Sequence, residues 1–115
     1  MPLKIIYVAG PFMADNSWDI ELNVRKAEEV ALEIWKIGAI PICPHTMNRF
    51  YHGTLPDDVW YKGDLAILSR CDAIFLLSGW NSSNGARGEE KLAAELGIPT
   101  FESLGSLAHW LESEK

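Results

Sequence analysis

Residues 79–89, Gly79-Trp80-Asn81-Ser82-Ser83-Asn84-Gly85-Ala86-Arg87-Gly88-Glu89, begin as a run of turn formers and end as a helix start. At such a junction the hydroxyls and unsatisfied backbone N–H groups would face an anion, while Glu89 projects from the first helical turn as a carboxylate able to do chemistry. The plainer use of Glu89 and Glu90 is to complement a helix dipole on a solvated face. Asp64 and Asp72 are the other acids that could be gathered near Glu89, and cleavage of a glycosidic bond needs such a pair, one group to donate a proton and one to act as nucleophile. Asp72 sits directly before an apolar run, at the end of a strand away from a site, so a capping role is expected for it and Asp64 is the better acid.

Gly10-Pro11-Phe12 closes the first apolar run, where a glycine lets a ligand approach the backbone; an ordinary strand-ending turn would read the same way. The chain has no G-x-G-x-x-G and no Gly-Lys-Ser/Thr, which removes the usual warrant for dinucleotide or triphosphate binding. His45, after Pro44, could contact a base or phosphate, although a lone loop histidine is more often a surface residue. His52 and His109 make no metal-ligand spacing with it, no G-x-S-x-G elbow supports a serine triad, and no motif implies a metal or redox cofactor.

The elements that must position these groups follow from the apolar pattern. Residues 4–9 read as a strand buried on both faces, and Ile20, Val24, Ala27, Ala31 and Ile34 fall on one face of a helix capped by Asn16 or Ser17 and stopped at Gly38. Residues 39–43 form a second strand, with Pro41 marking an edge, followed by a loop to about Pro56. Val59, Trp60, Leu65 and Leu68 trace an apolar pattern interrupted by Gly63, which predicts one broken helix or two short ones ending near Arg70. Residues 72–77 are the clearest buried strand; a helix over 86–96, a strand over 98–101 and a helix over 104–111 complete the chain.

This alternation predicts an α/β fold with right-handed crossovers, a parallel sheet of four to five strands in order 2-1-3-4, and helices on both faces. Ligands then bind beyond the carboxyl ends of the strands at the switch point, which brings Gly10-Pro11-Phe12 beside the 79–85 loop.

Residues 1–115 have room for one domain, and 48% hydrophobic against 23% charged residues is the balance of a packed core. A formal charge of −6 gives no footprint for polymeric nucleic acid. Cys43 and Cys71 sit inside apolar runs as buried thiols, which fits a reducing, cytoplasmic setting. No apolar run approaches the ~18 residues of a membrane span, and no signal segment is visible. Five tryptophans in so short a chain suggest a site or a subunit interface, hence a dimer.

Tyr7-Val8-Ala9-Gly10-Pro11-Phe12, together with Gly85-Ala86-Arg87-Gly88-Glu89 and the following Ala93 and Gly97, resembles the nucleoside 2-deoxyribosyltransferase-like superfamily over nearly the whole chain. Within it the chain looks closest to a branch of short bacterial and phage proteins with an Asn-x-x-x-Ala helix, here Asn23 to Ala27, and a Pro44-His45-Thr46. The resemblance implies a compact, three-layer, flavodoxin-like domain, assembled as a homodimer or larger homo-oligomer whose neighbouring subunits complete each site. It implies that Glu89 attacks the anomeric carbon, with Tyr7 near it and Asp64 as the acidic residue ahead of the third strand. Gly10, Pro11, Phe12, His45, Ser83, Gly85 and Arg87 would hold a small-molecule nucleoside or nucleotide. The superfamily divides into base-exchanging transferases and hydrolases of nucleoside 5′-monophosphates, and Ser83 with Arg87 favours a monophosphate. A non-catalytic nucleotide-sensing module and an NAD glycohydrolase stay open as other readings.

Overall fold

The computed structural model describes residues 3–48, 50–51 and 53–115, and His52, weighed above, lies outside the described residues. β1 (Ile5–Ala9) leads into α1 (Ser17–Lys36), β2 (Ile40–Ile42), the single-turn α2 (Pro44–Met47), α3 (Asp57–Leu68) and β3 (Ala73–Leu76). A 3-10 turn (Trp80–Ser82), α4 (Asn84–Glu95), β4 (Thr100–Phe101) and α5 (Leu104–Ser113) follow. All strand pairs are parallel and the order is β2-β1-β3-β4, as expected. Pro41, which has no N–H for a ladder, is accommodated because β2 is an edge.

Alternation along the strands divides the core in two. Ile6, Val8, Phe75 and Leu77 face α1 and α5, packing on Ala27, Ile34, Leu107 and Leu111. Tyr7, Ala9, Ile74 and Leu76 face the opposite way, onto Leu68 of α3 and Ala93 of α4. Each large aliphatic side chain taken out of water contributes about 1.5–3 kcal/mol, so two apolar layers hold the sheet between them. The helix layers are therefore α1 with α5 and α3 with α4, and the period of two sends Tyr7 toward α3 and α4.

Local chemistry sets the element ends. The Asn16 side chain caps α1 by accepting from the Asp19 N–H at 2.8 Å, and Gly38 leaves the helix at φ +93°, a left-handed conformation that glycine adopts without strain. Asp72 accepts from the Ile5 N–H at 2.8 Å at the amino end of the sheet, the capping role expected for it.

Three expectations are corrected. α3 runs unbroken through Gly63, because a glycine on an exposed helix face costs about 1 kcal/mol relative to alanine but removes no backbone hydrogen bond. Val59, read as part of its apolar face, is exposed. α2 adds a helical turn where the sequence predicts loop.

Candidate active site

β1 and β3 are neighbours whose following segments diverge, and a cleft of about 640 Å³ opens at their carboxyl ends. That size falls within the range of small-molecule sites. Its floor holds Tyr7, Glu89 and Asp64; one wall is the Gly10-Pro11-Phe12 turn with His45; another is the Ser82-Ser83-Asn84-Gly85 entry to α4. The third wall is a face of α3, with Asp57, Trp60 and Tyr61.

α4 begins at Asn84, so Glu89 lies in its second turn and not, as expected, the first; it is 7% exposed, the only buried acid among the described residues. The Tyr7 hydroxyl, delivered from the centre of β1, donates to its Oε2. Burial pushes the Glu89 carboxyl up to about 7; the Tyr7 hydrogen bond pulls it down and the charge of Asp64 adds to the rise. Burial likewise raises Asp64 to about 6. Burial, then the charges of Glu89 and Asp64, hold the Tyr7 phenol far above its ordinary range, so Tyr7 acts as a hydrogen-bond donor and not as an anion. The floor thus holds two proton-exchanging carboxyls titrating near neutrality, one of them fixed by a neutral phenol. Two interacting carboxyls of this kind titrate as a pair.

The turn after β1 is clamped from both sides. His45 Nε2 meets the Pro11 carbonyl oxygen at 2.8 Å, and since a carbonyl can only accept, that nitrogen carries the proton. Burial drives the His45 imidazole down, against an upward pull from the Pro11 and Gly10 carbonyls, so it is neutral at pH 7. From the other side, Asn23 Nδ2 donates to the Phe12 carbonyl oxygen at 3.1 Å. Phe12 packs edge-on against His45, ring centroids 5.3 Å apart. Gly10 is required by packing: an added Cβ would lie 2.6 Å from Leu77 Cβ. That is a different need from the ligand approach the sequence suggested.

At the α4 entry, Ser83 Oγ accepts from the Ala86 N–H at 3.2 Å, so this serine caps the helix while lining the cleft. Gly88 lets α3 and α4 close together, since a Cβ there would overlap the Tyr61 hydroxyl. Burial and the Glu89 charge raise the Tyr61 phenol. Tyr51 stacks on Trp60 with centroids 6.0 Å apart.

Of the residues expected in a site, Tyr7, Gly10, Pro11, Phe12, His45, Asp64, Ser83, Gly85 and Glu89 line this one cleft. Arg87 does not. At about 100° per residue it stands some 200° around α4 from Glu89, and its guanidinium donates to the Asn84 side chain and to the Asn81 carbonyl at 3.5 Å. Asp57, Trp60 and Tyr61 were not singled out as site residues, although 57, 60, 61 and 64 have the spacing of one helical face. No group of three or more metal-ligand side chains occurs among the described residues.

A family model described as a domain of unknown function (DUF4406) matches residues 4–101. No curated protein matches the chain. Among solved structures, a 2-deoxyribosyltransferase from the psychrotolerant bacterium Bacillus psychrosaccharolyticus is similar with a TM-score of 0.62 and 23% identity. The match covers 84% of this chain and 69% of that one. At that identity the likeness is one of fold, and it agrees with the α/β fold that the resemblance implies.

Proposed function

The chain belongs to the DUF4406 family, and from that footing we propose that it cleaves the N-glycosidic bond of a (deoxy)nucleoside or its 5′-monophosphate. The single observation behind this reading is the floor of the cleft: a buried Glu89 bonded to Tyr7, with Asp64 beside it in a cavity of nucleoside size.

In the proposed reaction a Glu89 carboxylate oxygen bonds to C1′ as the C1′–N bond breaks, its electron pair leaving with the base. Asp64 supplies the proton that the departing base nitrogen takes up. Water, or a second base, then attacks C1′ from the vacated side; Asp64 accepts the proton and Glu89 leaves, which restores both carboxyls. Tyr7 holds the second Glu89 oxygen and so fixes the direction of attack. The Ser82–Gly85 wall, with the positive end of α4 behind it, takes the 5′ side of the sugar. The reading includes a homo-oligomer, because Trp18, Leu32 and Trp35 are all exposed along α1.

Chromatography of nucleosides, 5′-monophosphates and NAD incubated with the protein, with and without an acceptor base, tests the reading. Base release by wild type and none by Glu89→Gln is the expected outcome. Full activity of that variant would sink it. Nicotinamide release from NAD would move the assignment to an NAD glycohydrolase, and tight binding without turnover to a sensing module.

A further inference from the structure

α3 turns one continuous face to the cleft. Asp57, Trp60, Tyr61 and Asp64 line it, Asp57 at its exposed end, whereas Asp58, Val59, Lys62 and Gly63 do not. The face therefore carries two aromatic rings with a carboxylate at each end. Asp64 has a place in the proposed cleavage; Asp57 has none. Asp57 makes no ion pair or hydrogen bond with a described residue, while its neighbour Asp58 is paired with Lys62 at 3.4 Å outside the cleft.

The direction of this face relative to Glu89 is fixed. Tyr61 rests its hydroxyl against Gly88, one residue before Glu89, so the Tyr61–Asp64 end of α3 is the end near the reacting carbon. Asp57 lies seven residues earlier, about 10 Å along the axis at roughly 1.5 Å per residue. A substrate with C1′ at Glu89 and its glycosidic nitrogen toward Asp64 must then extend its base along α3, ring face against Trp60 and Tyr61. Its exocyclic edge, the part farthest from the glycosidic bond, points at Asp57. The sugar falls on the other side, toward the start of α4.

Resting on the cleavage reading above, we propose that Asp57 reads the exocyclic group of the base and selects bases that present an amino group there. An ionised carboxylate only accepts hydrogen bonds, so it attracts the N6 amino group of adenine or the N4 amino group of cytosine and repels the keto oxygen of hypoxanthine or uracil. Trp60 and Tyr61 supply stacking that is indifferent to base identity; Asp57 supplies the discrimination.

The test compares kcat/KM for 2′-deoxynucleosides and their monophosphates in the pairs adenine with hypoxanthine and cytosine with uracil. Wild type should favour the amino member of each pair by about tenfold, the scale of one charge-assisted hydrogen bond at a partly solvated edge. In Asp57→Asn, whose amide can donate to a keto oxygen, the ratio should fall to one or below. Asp58→Asn carries the same loss of charge in the first turn of α3 without facing the cleft and should keep the wild-type ratio. Equal or reversed preference in wild type, or an equal loss on all four bases in Asp57→Asn, overturns the inference and leaves the cleavage reading intact. If no base is released from any substrate, calorimetric titration with free adenine, hypoxanthine, cytosine and uracil decides. Amino-selective binding abolished by Asp57→Asn sustains the inference while the cleavage reading falls, and unselective or undetectable binding overturns both.

Discussion

A carboxyl enclosed as Glu89 is, against a phenol and beside a second acid, is easier to fold with its proton than without it. Its pKa rises from the ordinary carboxylate range when unfolded to about 7 when folded, so the favourable contribution of burying it is complete below the unfolded value and lost as the pH rises through about 7. Asp64, raised to about 6, loses its contribution in the same direction. Wild type should thus be less stable near pH 8 than near pH 5 on this account. Glu89→Gln, which keeps an acceptor for Tyr7 and cannot ionise, should gain on the order of 1 kcal/mol, roughly 4 °C in Tm, near pH 8 and little near pH 5. Calorimetric melts across that interval check it, and a gain independent of pH would contradict the cause assigned. Glu89 and Asp64 stood out in the sequence as acids at element boundaries, but their meeting depends on tertiary placement that spacing does not encode. Arg87 does not line the cleft, because its angle around α4, which its neighbours in sequence do not reveal, turns it away from Glu89.

β1, β3 and α1 were legible because their signals are local: apolar runs of strand length, and one long amphipathic stripe with a cap. α3 was not, because Trp60, which looked like part of a core stripe, faces a cleft, and Gly63 looked like a break. Where α3 meets α4, Gly88 leaves room for the Tyr61 hydroxyl. Gly88→Ala must therefore displace the Tyr61 side chain, a cost that offsets the about 1 kcal/mol alanine gains over glycine inside a helix, as urea denaturation would measure. In a Tyr61→Phe background, where the overlapping hydroxyl is gone, the same substitution should cost clearly less. Equal costs in the two backgrounds would mean that the Gly88–Tyr61 contact is not their source.

At the scale of the molecule, the parallel sheet was legible from β-α alternation, and with it the end of the sheet that carries the cleft, whereas the order 2-1-3-4, which the structure matches, is not dictated by alternation or handedness. The surface was less legible: five tryptophans suggested a site or a subunit interface without saying where, and the structure leaves Trp18 and Trp35 exposed on α1 with Leu32 between them in sequence. Sedimentation velocity should find an oligomer that Trp18→Glu with Trp35→Glu converts to monomer; an unchanged monomeric wild type would remove this face from consideration. The two borders of the sheet bear on the same point. β2 is three residues long with a proline at its centre, and β4 is two residues long directly after Pro99. Such truncated borders offer a foreign strand almost no ladder to extend, so the fold is protected against runaway fibril-like stacking. The helical layers are then the broader faces the fold offers to a second copy of the chain.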